Sequence, residues 1–280
     1  LILRKRPDSR VSTRLKFCGA QHTGRWSGSG GLNFQAIPRS EIQGVSMKKC
    51  LVAPAGKVLV SVDLSQIEPR ILHWLAHGRA SGLYTEDEPM KDFAPELRHL
   101  CKARTLGLGY GCGAGKFASV AEALTGGKLK LTPAVARQQV TAYRQQNPLI
   151  IALWEKVEAF VRREAKNEPE CAVIETRSGK PIRYWDVEFS GKKDEMSAAT
   201  VKGGPRKKIY SGLLVENLVQ ATARCVFGEM LIKAEAAGLP VCLHVHDSIT
   251  VEVAESEGQA ALDLLVNIMS EAPAWADGLP

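Results

Sequence analysis

Lys57-Val58-Leu59-Val60-Ser61-Val62-Asp63-Leu64-Ser65-Gln66-Ile67-Glu68-Pro69-Arg70-Ile71-Leu72-His73-Trp74-Leu75 changes period halfway along. Its first seven residues are a β-rich run closed by an acid, which predicts a strand buried on at least one face. From Ser65 the apolar residues Ile67, Ile71, Leu72 and Leu75 recur at helical spacing. The strand therefore passes directly into a helix, with Pro69 in the first turn, where its missing N–H leaves no bond unmade. A second acid, Asp247, sits at the tip of another strand–turn–strand signal, Val241 to Val253 around His246-Asp247-Ser248. Most aspartates at strand ends are turn formers. Two of them at strand ends of one sheet, however, can converge on divalent cations, as phosphoryl and nucleotidyl transfer require.

Outward from this pair, residues 1–48 are polar, basic and glycine-rich and predict extended loop with little regular structure. A helix is expected from Pro95 to about Leu108. Another opens at Thr132 as N-cap with Pro133 at its first position, breaks at Pro148 and resumes from Leu149 to Lys166. Residues 171–185 alternate around Ser178-Gly179, a hairpin signal, and the lysine-rich residues 186–208 predict a mobile loop. Leu213 to Ala237 reads as a helix closed by Gly238, and Gln259 to Ser270 as a final amphipathic helix. No internal repeat recurs at a period of roughly 20 to 50 residues.

The chain has 280 residues, enough to bury a core without disulfide or metal staples. Apolar residues make up 45% and charged residues 24%, which excludes a disordered or fibrous chain. No apolar run approaches the ~18 residues of a membrane span. The seven cysteines (Cys18, Cys50, Cys101, Cys112, Cys171, Cys225 and Cys242) are scattered without C-x-x-C spacing. That pattern points to a reducing compartment and away from a disulfide framework or a zinc site. A start at Leu1 with Arg4-Lys5-Arg6 and no apolar stretch predicts a piece of a longer protein without a signal peptide. The net charge of +7 favours a polyanionic partner.

Arg98, Lys102, Leu106 and Tyr110 stand at successive i+4 steps and predict one stripe on a helix. At ~1.5 Å rise per residue the stripe runs about 18 Å, the length of a nucleoside triphosphate, with cations at the phosphate end. The bland alternative is a solvated basic face above a core Leu and Tyr. Gly109-Tyr-Gly111-Cys-Gly113-Ala114 matches a dinucleotide-binding glycine pattern, but a polar helical segment precedes it where that pattern needs a strand. These glycines are read instead as ending the helix near Tyr110 and making that end able to bend. His73 and His77 share a helix face but lack a third ligand. The tryptophans Trp26, Trp74, Trp154, Trp185 and Trp275 are read as packing residues.

Together these segments resemble the family A, DNA polymerase I-like, DNA polymerases. Asp63-Leu-Ser-Gln-Ile-Glu68-Pro-Arg70 is similar to motif A, Arg98 through Gly111 to motif B, and Val245-His246-Asp247-Ser248 to motif C. Thr23-Gly24-Arg25, Asn33-Phe-Gln35-Ala-Ile-Pro38 and Glu216-Asn217-Leu-Val-Gln220 resemble further segments of the family, the last of its phage-type members. The matches occur in family order over roughly residues 20 to 253.

The resemblance implies an α+β fold: a right-hand palm, an antiparallel sheet backed by helices, with an inserted helical fingers subdomain. It implies a thumb-base and primer–template segment at 1–39, palm at 40–76, fingers at 77–205 and palm again at 206–280. Asp63, Asp247 and the Leu64 carbonyl would hold two Mg²⁺ ions. Asp63, Asp247 and Lys102 would be catalytic, Lys102 as proton donor to the leaving pyrophosphate. Arg98, Lys102, Leu106, Tyr110, Glu68 and Gln66 would bind the dNTP, Glu68 by excluding a 2′-hydroxyl. Arg25, Asn33, Gln35, Arg70, Gln220 and His246 would contact primer–template DNA. A monomer working in the cytoplasm of a bacterium or phage-infected host, with no membrane partner, is implied as well.

Departures from the family pattern are informative. Ser248 replaces the usual acid after Asp247, Leu106 replaces an aromatic, and Glu88-Pro89-Met90 stands where a phosphate contact is expected. Ser248 is also what single-subunit RNA polymerases carry, which makes them the rival reading, although Glu68 opposes it. A catalytically inactive nucleic-acid-binding fragment is the second rival.

Overall fold

The structure, a computed structural model, describes residues 11, 13–29, 33–38, 41–77, 103–191 and 194–279. In chain order the first elements are β1 (Leu15–Ala20), β2 (Arg25–Gly28), β3 (Lys57–Asp63), α1 (Ile67–His77), α2 (Ala114–Leu124), α3 (Pro133–Gln146) and α4 (Pro148–Asn167). There follow β4 (Cys171–Glu175), β5 (Pro181–Ser190), β6 (Glu195–Ala199), β7 (Arg206–Ile209), α5 (Ser211–Ala236), β8 (Val241–Val245), β9 (Ser248–Ala254) and α6 (Gly258–Ser270). The chain forms two compact units, Leu1–Ile67 with Ala223–Ala274, and Glu68–Thr222 with Trp275–Pro280. All the sheets are antiparallel, so the α+β expectation holds. Among the described residues no helix is long and apolar enough to cross a membrane.

In the first unit the sheet order is β3-β9-β8. The pairs Val58↔Val253, Val60↔Val251 and Val62↔Ile249 set a β-branched ladder on one face. Helix α6 packs on β3 and β9 and buries Ala261, Leu265 and Met269, four residues apart and so on one stripe. Burial of each large side chain there contributes about 1.5–3 kcal/mol. The opposite face is polar: Lys57 pairs with Glu252 at 3.0 Å, and Thr250 Oγ1 donates to Ser61 Oγ at 3.0 Å. The expected strand–helix passage is present, with a left-handed Gln66 (φ 55°) making the corner before α1.

The expectation of loop throughout residues 1–48 is corrected by the β1–β2 hairpin. Its register shifts between Lys16 and Ala20, with Cys18 at φ 49°, so no regular alternation marks the strands. Contacts distant in sequence define them. Trp26 meets Phe17, Phe227 and His244 edge-on, at centroid distances of 5.9, 5.9 and 5.2 Å.

The second unit opens its helices where the caps predict. Thr132 Oγ1 accepts from the Val135 N–H at 3.3 Å with Pro133 at the first position, and Pro148 begins α4 after Asn147. The β4–β5 hairpin turns at Gly179, φ 79°. The mobile loop expected over 186–208 is largely sheet: β5 runs to Ser190, and β6 and β7 complete the order β4-β5-β6-β7. Two of its described cations sit in charged pairs, Lys208–Glu195 at 2.7 Å and Arg206–Glu188 at 3.3 Å, while Met196, Ala198 and Ile209 are buried. Helix α2 was not anticipated; its Gly113-Ala114-Gly115 start carries no capping side chain.

The helix expected from Pro95 begins outside the described residues. Its visible end is not a regular α-helix but one π-helical turn, Arg104–Leu108. A π turn holds more residues per turn, so the i+4 stripe does not continue unbroken from Leu106 to Tyr110.

Candidate functional site

The β3–β9 ladder pairs Asp63 with Ser248, which places Asp63 beside the residue that follows Asp247. The ladder continues one step further, the Leu64 N–H donating to the Asp247 carbonyl at 3.0 Å. His246 and Asp247 form the two-residue link between β8 and β9. His246 takes φ 56°, a left-handed backbone that a non-glycine residue adopts only at a cost of order 1 kcal/mol or more. Its ring Nε2 lies 3.1 Å from the Gln35 carbonyl oxygen.

Asp63 is exposed and Asp247 half-buried. Burial raises the Asp247 carboxyl above its ordinary range, and the charge of Asp63 raises it further. Its own backbone N–H, His246 and Arg25 pull the other way without cancelling the rise. Two carboxylates that repel one another in a partly desolvated corner are a pair that a divalent cation would relieve. Ser248 does not stand in for the missing acid, since its hydroxyl donates across the turn to the Val245 carbonyl at 2.9 Å. Among the described residues no three His, Cys, Asp or Glu side chains cluster as a closed metal cage. Two such carboxylates suit Mg²⁺, a hard ion that keeps water or phosphate oxygens for the rest of its shell.

Several expected nucleic-acid contacts gather in the same unit. Arg25 opens β2 within electrostatic reach of Asp247. Asn33 accepts from the Gln35 N–H at 3.0 Å, and Gln35 Nε2 donates to the Trp26 carbonyl at 3.3 Å. Sequence reasoning missed Arg224, whose mid-helix position carries no signal. Its Nε donates to the Gly24 carbonyl at 3.1 Å, and its guanidinium lies 5.0 Å from the Phe17 ring centroid and 4.9 Å from that of Trp26.

Glu68, Arg70, Leu106, Tyr110 and Gln220 belong to the second unit. Glu68 and Arg70 are in the first turns of α1, and Gln220 Nε2 donates to Glu216 at 3.4 Å on α5. Leu106 is half-buried in the π turn, and Tyr110 is only 6% exposed. Arg98 and Lys102 lie outside the described residues, as does Glu88-Pro89-Met90.

The family model for DNA polymerase family A matches residues 1–277. The chain is 28% identical, over an alignment of 340 residues, to the DNA polymerase of Bacillus phage SP02, covering 98% of this chain and 51% of that protein. It is 25% identical over 270 residues to DNA polymerase I of Pseudomonas aeruginosa, covering 89% of this chain and 26% of that one. It thus spans about half the length of the phage relative and about a quarter of the bacterial one. The fold is similar to that of the POL domain of Pol1 from M. smegmatis, a structure in complex with DNA primer-template and dNTP. The TM-score is 0.72 at 22% identity, with 100% of this chain and 48% of that chain covered.

Proposed function

The chain belongs to DNA polymerase family A, and we propose that it carries out template-directed addition of dNTPs to a primer 3′ end. The observation that carries this reading is the meeting of Asp63 and Asp247 across β3 and β9, 184 positions apart in sequence and adjacent in the sheet. We assign Asp63, Asp247 and the Leu64 carbonyl to two Mg²⁺ ions. Held by these groups, the ions would supply acidity to the primer hydroxyl and charge neutralisation for the leaving pyrophosphate.

The chain's own residues do the rest. Arg98 and Lys102 grip the triphosphate, and the Lys102 ammonium hands a proton to the leaving oxygen. Gln66, Leu106 and Tyr110 bound the nucleotide, while Glu68 occupies the space a 2′-hydroxyl would need. Arg25, Asn33, Gln35, Arg70, Gln220 and His246 hold primer and template by shape, with little sequence information. Residues 40–76 and 206–280 serve as palm, 77–205 as fingers and 1–39 as the primer–template segment. The enzyme acts as a cytoplasmic monomer.

Primer extension tests the reading. Extension with dGTP, abolished in Asp63→Asn and in Asp247→Asn, is the expected result. Comparable use of GTP would assign the chain to ribonucleotide polymerisation instead. Salt-sensitive duplex binding with no extension at any enzyme concentration would make it a binding module.

A further inference from the structure

We propose that Trp154 is a positioning residue for the nucleotide site, acting through the backbone of Gly109 and Tyr110; this rests on the polymerase reading above. The π turn ends at Leu108, and a carbonyl just past a helix end has no partner within the helix. The Gly109 carbonyl is buried and takes its hydrogen from Trp154 Nε1, on α4, at 2.9 Å. An indole is a donor only, so this side chain matches an orphaned acceptor.

The rest of the surroundings hold the same peptide from its other sides. A Cβ on Gly109 would lie 2.8 Å from Leu72 Cδ2 and 3.3 Å from the Tyr143 hydroxyl. One on Gly212, at the start of α5, would fall 2.0 Å from the Tyr110 carbonyl oxygen. Gly109 and Tyr110 are thus held on several sides by α1, α3, α4 and α5, and Trp154 adds a directional bond to the Gly109 carbonyl. Trp154 was read from sequence as a packing residue; the packing is real, and the indole N–H has a task beyond it.

The test is Trp154→Phe in the full 280-residue chain, alongside a benzothienyl analogue of tryptophan at 154, which keeps the indole shape and lacks the N–H. Three quantities are measured: amide hydrogen exchange at Gly109 to Cys112, nucleotide KM and kcat, and the primer–template Kd. Loss of one buried hydrogen bond predicts exchange about tenfold faster there and a nucleotide KM raised by several-fold to about tenfold. The primer–template Kd and kcat should stay within about twofold.

Unchanged exchange overturns the pin. Faster exchange with an unchanged nucleotide KM, or with primer–template affinity falling in step, overturns the positioning role. If the unsubstituted chain extends no primer, the polymerase reading fails and the nucleotide role with it, while exchange alone decides the pin.

Discussion

At the scale of single residues, Asp247 is held where its charge is unwelcome. Its folded-state pKa is raised by burial and by Asp63 above the ordinary 3.8, so the native state binds its proton more tightly than the unfolded chain does. This group therefore favours the fold below about pH 4 and disfavours it as the pH rises through the folded value. Asp247→Asn should raise Tm at pH 7, by about 2–4 °C for each kcal/mol of repulsion relieved, and the gain should vanish when melts are repeated near pH 3. Under the proposed function, activity should be lost in the same variant, the stability–function conflict expected if this corner holds cations. Tyr143 offers a second test at this scale. Its hydroxyl is buried with no hydrogen-bond partner among the described residues, and burial pushes its pKa up to about 12, offset in part by Arg104. Tyr143→Phe should be neutral or stabilise by up to about 1–2 kcal/mol in urea titrations. It should also lessen the loss of stability expected of the parent chain above pH 10, where an unfolded tyrosine ionises before the folded one; buried Tyr184 keeps its own share of that loss.

At the scale of elements, boundaries that rest on local chemistry were legible and those that rest on distant contacts were not. Thr132-Pro133 starts α3 because its hydroxyl and fixed φ are local properties, and Gly238 (φ 80°) follows α5 for the same kind of reason. Thr132→Ala should cost about 1 kcal/mol in denaturant unfolding. Strands β1 and β2 lack that local signature, because a bulge destroys the alternation and Trp26 and Arg224 supply the stabilisation from elsewhere. Strands β6 and β7 were hidden in turn by charged residues that pair across the ladder. Gly212 marks the close approach of α5 to Tyr110. Gly212→Ala should destabilise by about 1–3 kcal/mol or more, read as a lower urea midpoint, because the clashing atom is a backbone oxygen that cannot swing away.

At the scale of the whole molecule, the net charge of +7 and the proposed backbone contacts predict steep salt dependence. If about four phosphates are neutralised, primer–template affinity should fall about a hundredfold between roughly 50 and 200 mM salt, measurable by fluorescence anisotropy. A flat salt response would contradict the DNA-contact assignments as a set. The amino-acid sequence alone determined the two aspartates, the strand–helix passage at Asp63, the capped helices and the order of motifs, since each depends on residue type and short-range spacing. Tertiary structure alone decided that Asp63 and Asp247 share one sheet corner and that Arg224 braces the β1–β2 hairpin at Gly24, Phe17 and Trp26. It alone decided, too, that Trp154 reaches the Gly109 carbonyl. Those outcomes depend on which surfaces fold against one another over separations of 45 to 200 residues, and no local pattern encodes such contacts.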